Sequence, residues 1–261
     1  MSQRALVSVT REGHVTTVRL ERPESLNAIS GALADELAAA LRTVSSDTDT
    51  WVVVLAAAGE KAFCVGADLK ERASFTIDQF YSNRKQIRNL FATLRAVPHP
   101  VIAAVFGFAL GGGFELALSC DLIVAAAGTE LGLPEVRVGL LPAAGGTQLL
   151  TRRVGTAKAK ELMFFGKRFS AEEGKDLGLV SAVVERPDLD AAAMALAEEL
   201  CKSSPPAVRE VKRAVDAGFG LPLDEAVAIE NDGWTVVIET EDRAEGIAAF
   251  NEKRAPAWKN R

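Results

Sequence analysis

Two histidines and three cysteines among 261 residues leave little from which to build a metal centre, a disulfide frame or a histidine-based triad. His14 falls in an alternating, strand-like run and His99 sits between Pro98 and Pro100; neither has metal-ligand or triad spacing, so both read as structural. Cys64, Cys120 and Cys201 are odd in number, far apart and set in apolar sequence, the pattern of reduced, mostly buried thiols. A basic surplus is missing too. The formal charge of −5 offers no broad electrostatic footprint for nucleic acid and favours small-molecule or protein partners. Long hydrophobic runs are also absent: Trp51 to Ala58 and Val101 to Leu110 are both too short to span a bilayer. The opening Met1-Ser2-Gln3-Arg4 lacks the apolar stretch of a secretory signal. A soluble, cytoplasmic protein is expected. No low-complexity linker interrupts the chain, and no repeat period is sharp enough to argue a solenoid.

Apolar residues are plentiful, at 48% of the chain, which is ample core for one large domain or a domain with an appendage. Their spacing predicts an α/β chain. Ala5 to Thr10 and His14 to Leu20 alternate across Glu12-Gly13 like an opening hairpin. Leu33, Leu37, Leu41 and Val44 recur at helical spacing after Ser30, a good N-cap residue. Trp51 to Ala56 reads as a strand, and Thr76 with Gln79 as a capping box opening a helix through Ile87, Phe91 and Leu94. Strands are expected at Val101 to Phe106 and Leu122 to Ala126. The rhythm is strand, strand, helix. Beyond Gly146 helices dominate: Thr147 to Val154, Thr156 to Phe165, Ser170 to Leu177 with Glu173 closing a capping box, and Asp188 to Lys202, interrupted by a strand at Leu179 to Val184. From Pro205 onward everything reads helical, and Pro205-Pro206 marks the expected boundary between a core, residues 1–204, and a tail, residues 205–261.

Gly111, Gly112 and Gly113 lie where the buried strand turns into a helix through Phe114 and Leu118. A helix start has unpaired N–H groups, three glycines leave no side chain over them, and the helix dipole favours negative charge at that end. An oxyanion could be held there. Glu115 follows about one helical turn later on the same face, so its carboxylate can point at whatever the backbone holds. Glu135, after Pro134, is a loop position from which a second carboxylate can approach. Taken alone, a glycine triplet is turn geometry and Glu135 a surface acid; the apolar neighbours Phe114, Leu116 and Leu118 argue that Glu115 is buried, where an unpaired charge would be costly. The glycines lack the spacing G-x-G-x-x-G, which excludes a dinucleotide-binding reading.

Five segments in order carry a resemblance over nearly the whole chain: Arg22-Pro23 with Leu26-Asn27-Ala28, Phe63 with Gly66 to Lys70, Gly107 to Leu118, Pro134-Glu135, and Pro142 with Gly145-Gly146-Thr147-Gln148. Together they resemble the crotonase superfamily, the enoyl-CoA hydratase/isomerase family. The resemblance implies a spiral of strand-strand-helix turns, with C-terminal helices that build homotrimers, commonly paired into homohexamers. It implies that the N–H groups of Ala67 and Gly112 form an oxyanion hole for an acyl-CoA thioester, that Glu115 and Glu135 are the catalytic carboxylates that hold and activate water, and that no metal or separate cofactor is needed. Leu26, Ala67, Asp68, Leu69, Lys70 and Gly111 are implied along the acyl-CoA, with Phe250 and Lys253 closing over its nucleotide end. The implied activity is that of a lyase of fatty acid metabolism, adding water reversibly to a trans-2-enoyl-CoA to give a 3-hydroxyacyl-CoA. Isomerisation of a 3-enoyl-CoA and hydration of a branched substrate such as methylglutaconyl-CoA are the neighbouring alternatives. A non-catalytic acyl-CoA- or RNA-binding protein is the alternative of a different class, opposed by the acidic balance and the lack of an arginine stripe. The chain departs from the pattern at Ala143, where many hydratases carry glycine, at Phe106, where asparagine is common, and at Glu24, a position often basic.

Overall fold

The alternation in the opening residues closes into an antiparallel hairpin, β1 (Val7–Glu12) and β2 (Val15–Leu20), in a computed structural model that describes residues 5–261. The expected strands were 5–10 and 14–20; pairing of Glu12 with Val15 carries β1 to the turn itself. Residues 1–4, on which the reading of the chain start rests, lie outside the described residues. Ser30 caps α1 (Gly31–Ser45) as expected, its hydroxyl accepting from the Leu33 N–H at 3.2 Å, and Leu33, Leu37, Leu41 and Val44 all face the core.

Three successive turns then have the same construction, each giving one strand to each of two sheets before a helix returns the chain. The first is β3 (Val52–Ala57) and β4 (Ala62–Cys64), followed by a one-turn helix α2 (Leu69–Arg72) and α3 (Ile77–Arg95). Next come β5 (Val101–Val105), β6 (Phe108–Leu110) and α4 (Gly112–Leu118). The third is β7 (Leu122–Ala126), β8 (Glu130–Gly132), a 3-10 turn at Glu135–Val138 and α5 (Gly146–Phe164). The chain continues through β9 (Arg168–Ser170), α6 (Ala171–Asp176), β10 (Ala182–Val184) and α7 (Leu189–Leu200). The larger sheet runs β1-β2-β3-β5-β7-β10, parallel apart from the hairpin; the smaller runs β4-β6-β8-β9, parallel apart from β8 with β9. This is the α/β spiral expected, and it has no sequence period because its helices differ in length, 19 residues in α3 and α5 against seven in α4.

Both expected capping boxes form, Thr76 with Gln79 and Ser170 with Glu173. The two helices expected on either side of residue 155 form as the two arms of α5, separated by a kink at Gly155, whose φ of 78° and ψ of 163° are not helical. The strands of the smaller sheet escape the sequence reading because three residues are too few to show alternation. Phe63, Phe91, Phe106 and Phe114 are fully buried where the two sheets and their helices meet. The tail consists of α8 (Pro205–Gly218), α9 (Leu223–Ile238) and α10 (Glu241–Glu252). Among the described residues no helix is long and apolar enough to cross a membrane.

Candidate active site

The spiral carries the ends of β4 and β6 side by side, and the site grows from that junction. Gly111, with φ at 54°, turns the chain out of β6 into α4, a conformation that favours glycine. A carbon added to Gly112 would lie 3.3 Å from the Gly66 Cα and 3.7 Å from the Ala67 nitrogen, so the two strand ends touch at their backbones. Ile29 donates to the Gly66 carbonyl (2.7 Å) and Asp68 to the Ile29 carbonyl (3.1 Å), which fixes the peptide between them. The Ala67 and Gly112 amides accept no such duty: among the described residues neither has a hydrogen-bond partner, and both residues line a cavity of about 390 Å³. Two adjacent unpaired donors at a helix start are an anion site.

Glu115, one turn into α4, is 3% exposed and lines the same cavity. Its Oε1 accepts the N–H groups of Ala144 and Gly146, both at 2.7 Å. Those donors open α5, so the carboxylate sits on a second helix N-terminus. Gly146 is required there, because a side-chain carbon on it would lie 2.9 Å from Glu115 Oε1. Burial raises the Glu115 pKa above the ordinary carboxylate value, against the two amides and the charges of Arg84 and Arg95. Arg95 in turn donates to the Ala144 carbonyl at 3.1 Å and so braces the loop that holds Glu115.

Glu135 begins the 3-10 turn after Pro134, in place of the irregular loop expected, and faces Glu115 across the cavity. A carbon on Gly111 would lie 3.1 Å from its Oε1, while its Oε2 is buried with no partner. Burial, followed by the neighbouring Glu115 charge, pushes its pKa up to about 7, with only its own N–H opposing. One carboxyl is thus held by two amides and near two cations, and the other has one oxygen without a partner; burial raises the pKa of both.

The remaining expected site residues divide. Ala67, Leu69, Gly111 and Gly112 line the cavity with the two glutamates. Asp68 does not: its Oδ2 pairs with Arg22 Nη1 at 2.7 Å, and its Oδ1 caps α2 by accepting from Lys70 and Glu71. The Arg22 and Asp68 of the recurring motifs therefore tie the first turn of the spiral together. Leu26 sits in a separate cleft of about 290 Å³ beside Pro23, Glu24 and Gly59. Lys70, Phe250 and Lys253 are exposed and do not reach the cavity within this chain, Phe250 being 83% exposed on α10. Ala143 lines the cavity, whereas Phe106 is buried under the Arg186 guanidinium, 3.9 Å from its ring centre. Cys64 and Cys120 are buried thiols with pKa values pushed up to about 12, and Cys201 is half-buried. No group of three or more metal-ligating side chains occurs among the described residues.

The sequence reading missed Ala144 and Gly146 as donors, although Gly145-Gly146 before a helix is the same signal that exposed the Gly111 site. It also missed Arg72 and Arg84, which line the cavity from α2 and α3 with no motif to flag them.

A two-sheet spiral whose helix starts aim free amides and two buried carboxyls into one cavity is the crotonase architecture. The enoyl-CoA hydratase/isomerase profile matches residues 10–261, and the chain belongs to that family. Among its relatives, human mitochondrial enoyl-CoA hydratase domain-containing protein 2 is 44% identical over 248 residues, covering 94% of this chain and 85% of that one. The short-chain-enoyl-CoA hydratase of Clostridium acetobutylicum is 37% identical over 256 residues, 98% of each chain. The crystal structure of an enoyl-CoA hydratase from Bacillus anthracis superimposes with a TM-score of 0.96 at 42% identity, covering 98% of this chain and all of that one (100%).

Proposed function

We propose that this chain is an enoyl-CoA hydratase, adding water reversibly to a trans-2-enoyl-CoA to give a 3-hydroxyacyl-CoA. The observation that carries the reading is the different company of two carboxyls, Glu115 held by two amides and Glu135 with one buried oxygen unpartnered, around one cavity that is also lined by Ala67 and Gly112 with their free amides. In this reading the thioester oxygen lies between the two amides, which stabilise the negative charge it gains as the β carbon is attacked, each by about 3 kcal/mol. Ionised Glu115 takes a proton from water as the water oxygen bonds to the β carbon. Glu135 gives its proton to the α carbon. The pair holds one proton before and after, on Glu135 at the start of hydration and on Glu115 at its end. Dehydration begins from the second arrangement, and the total charge of the pair is the same in both directions. Loss of enoyl absorbance from crotonyl-CoA is the test: no turnover by the wild-type protein would end the proposal.

Isomerisation of a 3-enoyl-CoA is the neighbouring reading. It needs one carboxyl to carry a proton between carbons, and Glu135 alone would suffice; the buried, doubly hydrogen-bonded Glu115 favours hydration. A panel containing a 3-enoyl-CoA separates the two.

The tail is proposed to assemble copies of the chain into trimers or hexamers. Val211, Val215, Trp234, Ile247 and Phe250 on its three helices, and Phe219 just after α8, are all exposed, more apolar surface than a solvated appendage presents. Contact of Phe250 or Lys253 with the nucleotide end of the substrate would require such an assembly, since neither lines the cavity here. Sedimentation showing only monomer would refute this part.

A further inference from the structure

Residues 144–146 face two ways. The N–H groups of Ala144 and Gly146 both go to Glu115 Oε1, at 2.7 Å each, and the carbonyl between them, that of Ala144, accepts from Arg95 Nη1 at 3.1 Å. Residues 141–144 belong to no helix or strand, and among the described residues they make no other hydrogen bond. Apart from Glu115 itself, one side chain fixes the loop that delivers the Glu115 donors. Gly145 has φ at 128°, which favours glycine, and a carbon added to it would lie 3.4 Å from the same Arg95 nitrogen. The guanidinium therefore rests against the turn. Arg95 is the last residue of α3, where a cation suits the helix dipole, and the buried Phe91 and Leu94 anchor that end of the helix in the core. Both amides converge on Oε1, and among the described residues Glu115 Oε2 has no hydrogen-bond partner. The charged groups that bear on this carboxylate are Arg84 and Arg95 of α3, which favour its ionised form, and Glu135 across the cavity.

We propose that Arg95 is a positioning residue for hydration: gripping the Ala144 carbonyl from the end of α3, it keeps the Ala144 and Gly146 amides aimed at Glu115 and so sets how that carboxylate meets water. The inference rests on the hydratase reading above and deepens it. Arg95 does not line the cavity and acts only through the loop. With both amides on Oε1, the oxygen left for water is Oε2, and a turn of the carboxylate would exchange the two. Without the Arg95 bond the peptide between residues 144 and 145 is free to rotate, and the amides on either side of it move with it. Glu115 then loses its fixed angle. A misplacement of about 1 Å in such a group costs about 100-fold in rate.

The test is steady-state hydration of crotonyl-CoA across pH by Arg95→Met and Arg95→Lys, with hydrogen exchange of residues 141–148 and urea unfolding read on the same proteins. Arg95→Met removes donor and charge, and is expected to lower kcat by about 10- to 100-fold with KM within about 2-fold of wild type. The acid limb of its kcat/KM profile should move to higher pH, because a cation that favours ionised Glu115 is lost and two donors to it are loosened. Arg95→Lys keeps a donor and a charge and should recover part of kcat. The Ala144 and Gly146 amides should exchange slowly in the wild type and fast in Arg95→Met. Wild-type kcat in Arg95→Met, or an Arg95→Lys protein no faster than Arg95→Met, would overturn the proposal. So would a loss confined to KM, which would mean that the arginine serves the coenzyme. A lower urea midpoint with the acid limb and the exchange unmoved would make Arg95 a tie between helices only, and would overturn it too. Failure of the reaction reads differently: no turnover by the wild type, with the two amides protected in it and freed in Arg95→Met, would remove the hydratase assignment and leave the hold of Arg95 on Glu115 standing.

Discussion

Replacing Glu135 with glutamine probes the site where structure and chemistry are most tightly joined. Glutamine keeps the shape and removes the charge. The Glu135 carboxyl has a pKa of about 7 in the folded chain against an ordinary 4.5, because burial and the Glu115 charge oppose its ionisation. Between pH 4.5 and 7 the folded protein therefore binds more protons at this residue than the unfolded chain, and stability falls as the pH rises through that window. At full weight the difference is ~3 kcal/mol; screening by solvent at a half-buried group reduces it to about 2 kcal/mol. Glu135→Gln removes the dependence. Relative to wild type, the variant is expected to gain about 2 kcal/mol of stability between pH 4.5 and pH 8, the change being complete just above pH 7. Unfolding by urea at fixed protein concentration, repeated across that range, measures it. The same substitution removes the proton donor, so kcat/KM for hydration should fall by about 10²- to 10⁴-fold. In the wild type, kcat/KM should decline above pH 7 equally for hydration and dehydration, since one shared proton serves both. A stability difference that stays flat across the range, or a Glu135→Gln protein with wild-type turnover, would refute the reasoning.

Glu115→Gln keeps one acceptor oxygen for the Ala144 and Gly146 amides but cannot accept a proton from water; hydration of crotonyl-CoA should drop by about 10²- to 10⁴-fold with substrate affinity largely retained, as single-turnover and binding measurements would show. Gly112→Pro deletes one free amide at the first position of α4, where proline is tolerated, and Gly112→Ala adds the same first side-chain carbon while keeping the N–H. The proline variant should be slower than the alanine variant by about 10²- to 10³-fold; equal rates would deny the amide its role. Asp68→Ala leaves the Arg22 guanidinium without its 2.7 Å partner and uncaps α2, at a cost of about 3 kcal/mol of folding stability, readable as a lower urea midpoint. An unchanged midpoint would return Asp68 to the substrate-binding surface.

The residues that a periodic pattern can reveal were legible before the structure. Long helices and strands, the caps at Ser30, Thr76 and Ser170, and the turn at Gly111 all depend on neighbours a few positions away, so local sequence determined them. The motif order was also enough to indicate the family and to single out Glu115 and Glu135. Pairings across the chain were not legible. Whether Asp68 meets a ligand or Arg22 depends on a partner 46 residues away, and the two N–H groups on Glu115 come from 29 and 31 residues further along. The three-residue strands of the smaller sheet carry no pattern of their own and exist because the larger sheet delivers them into register. Sequence by itself determined which groups were available: glycines at helix starts, two acids, and an apolar framework able to bury them. Only the tertiary structure decided their protonation and their company, because desolvation and proximity are properties of the packed chain. It put Glu115 on one helix start, left one Glu135 oxygen without a partner, and brought Arg72 and Arg84, which form no ion pair among the described residues, to line the same cavity.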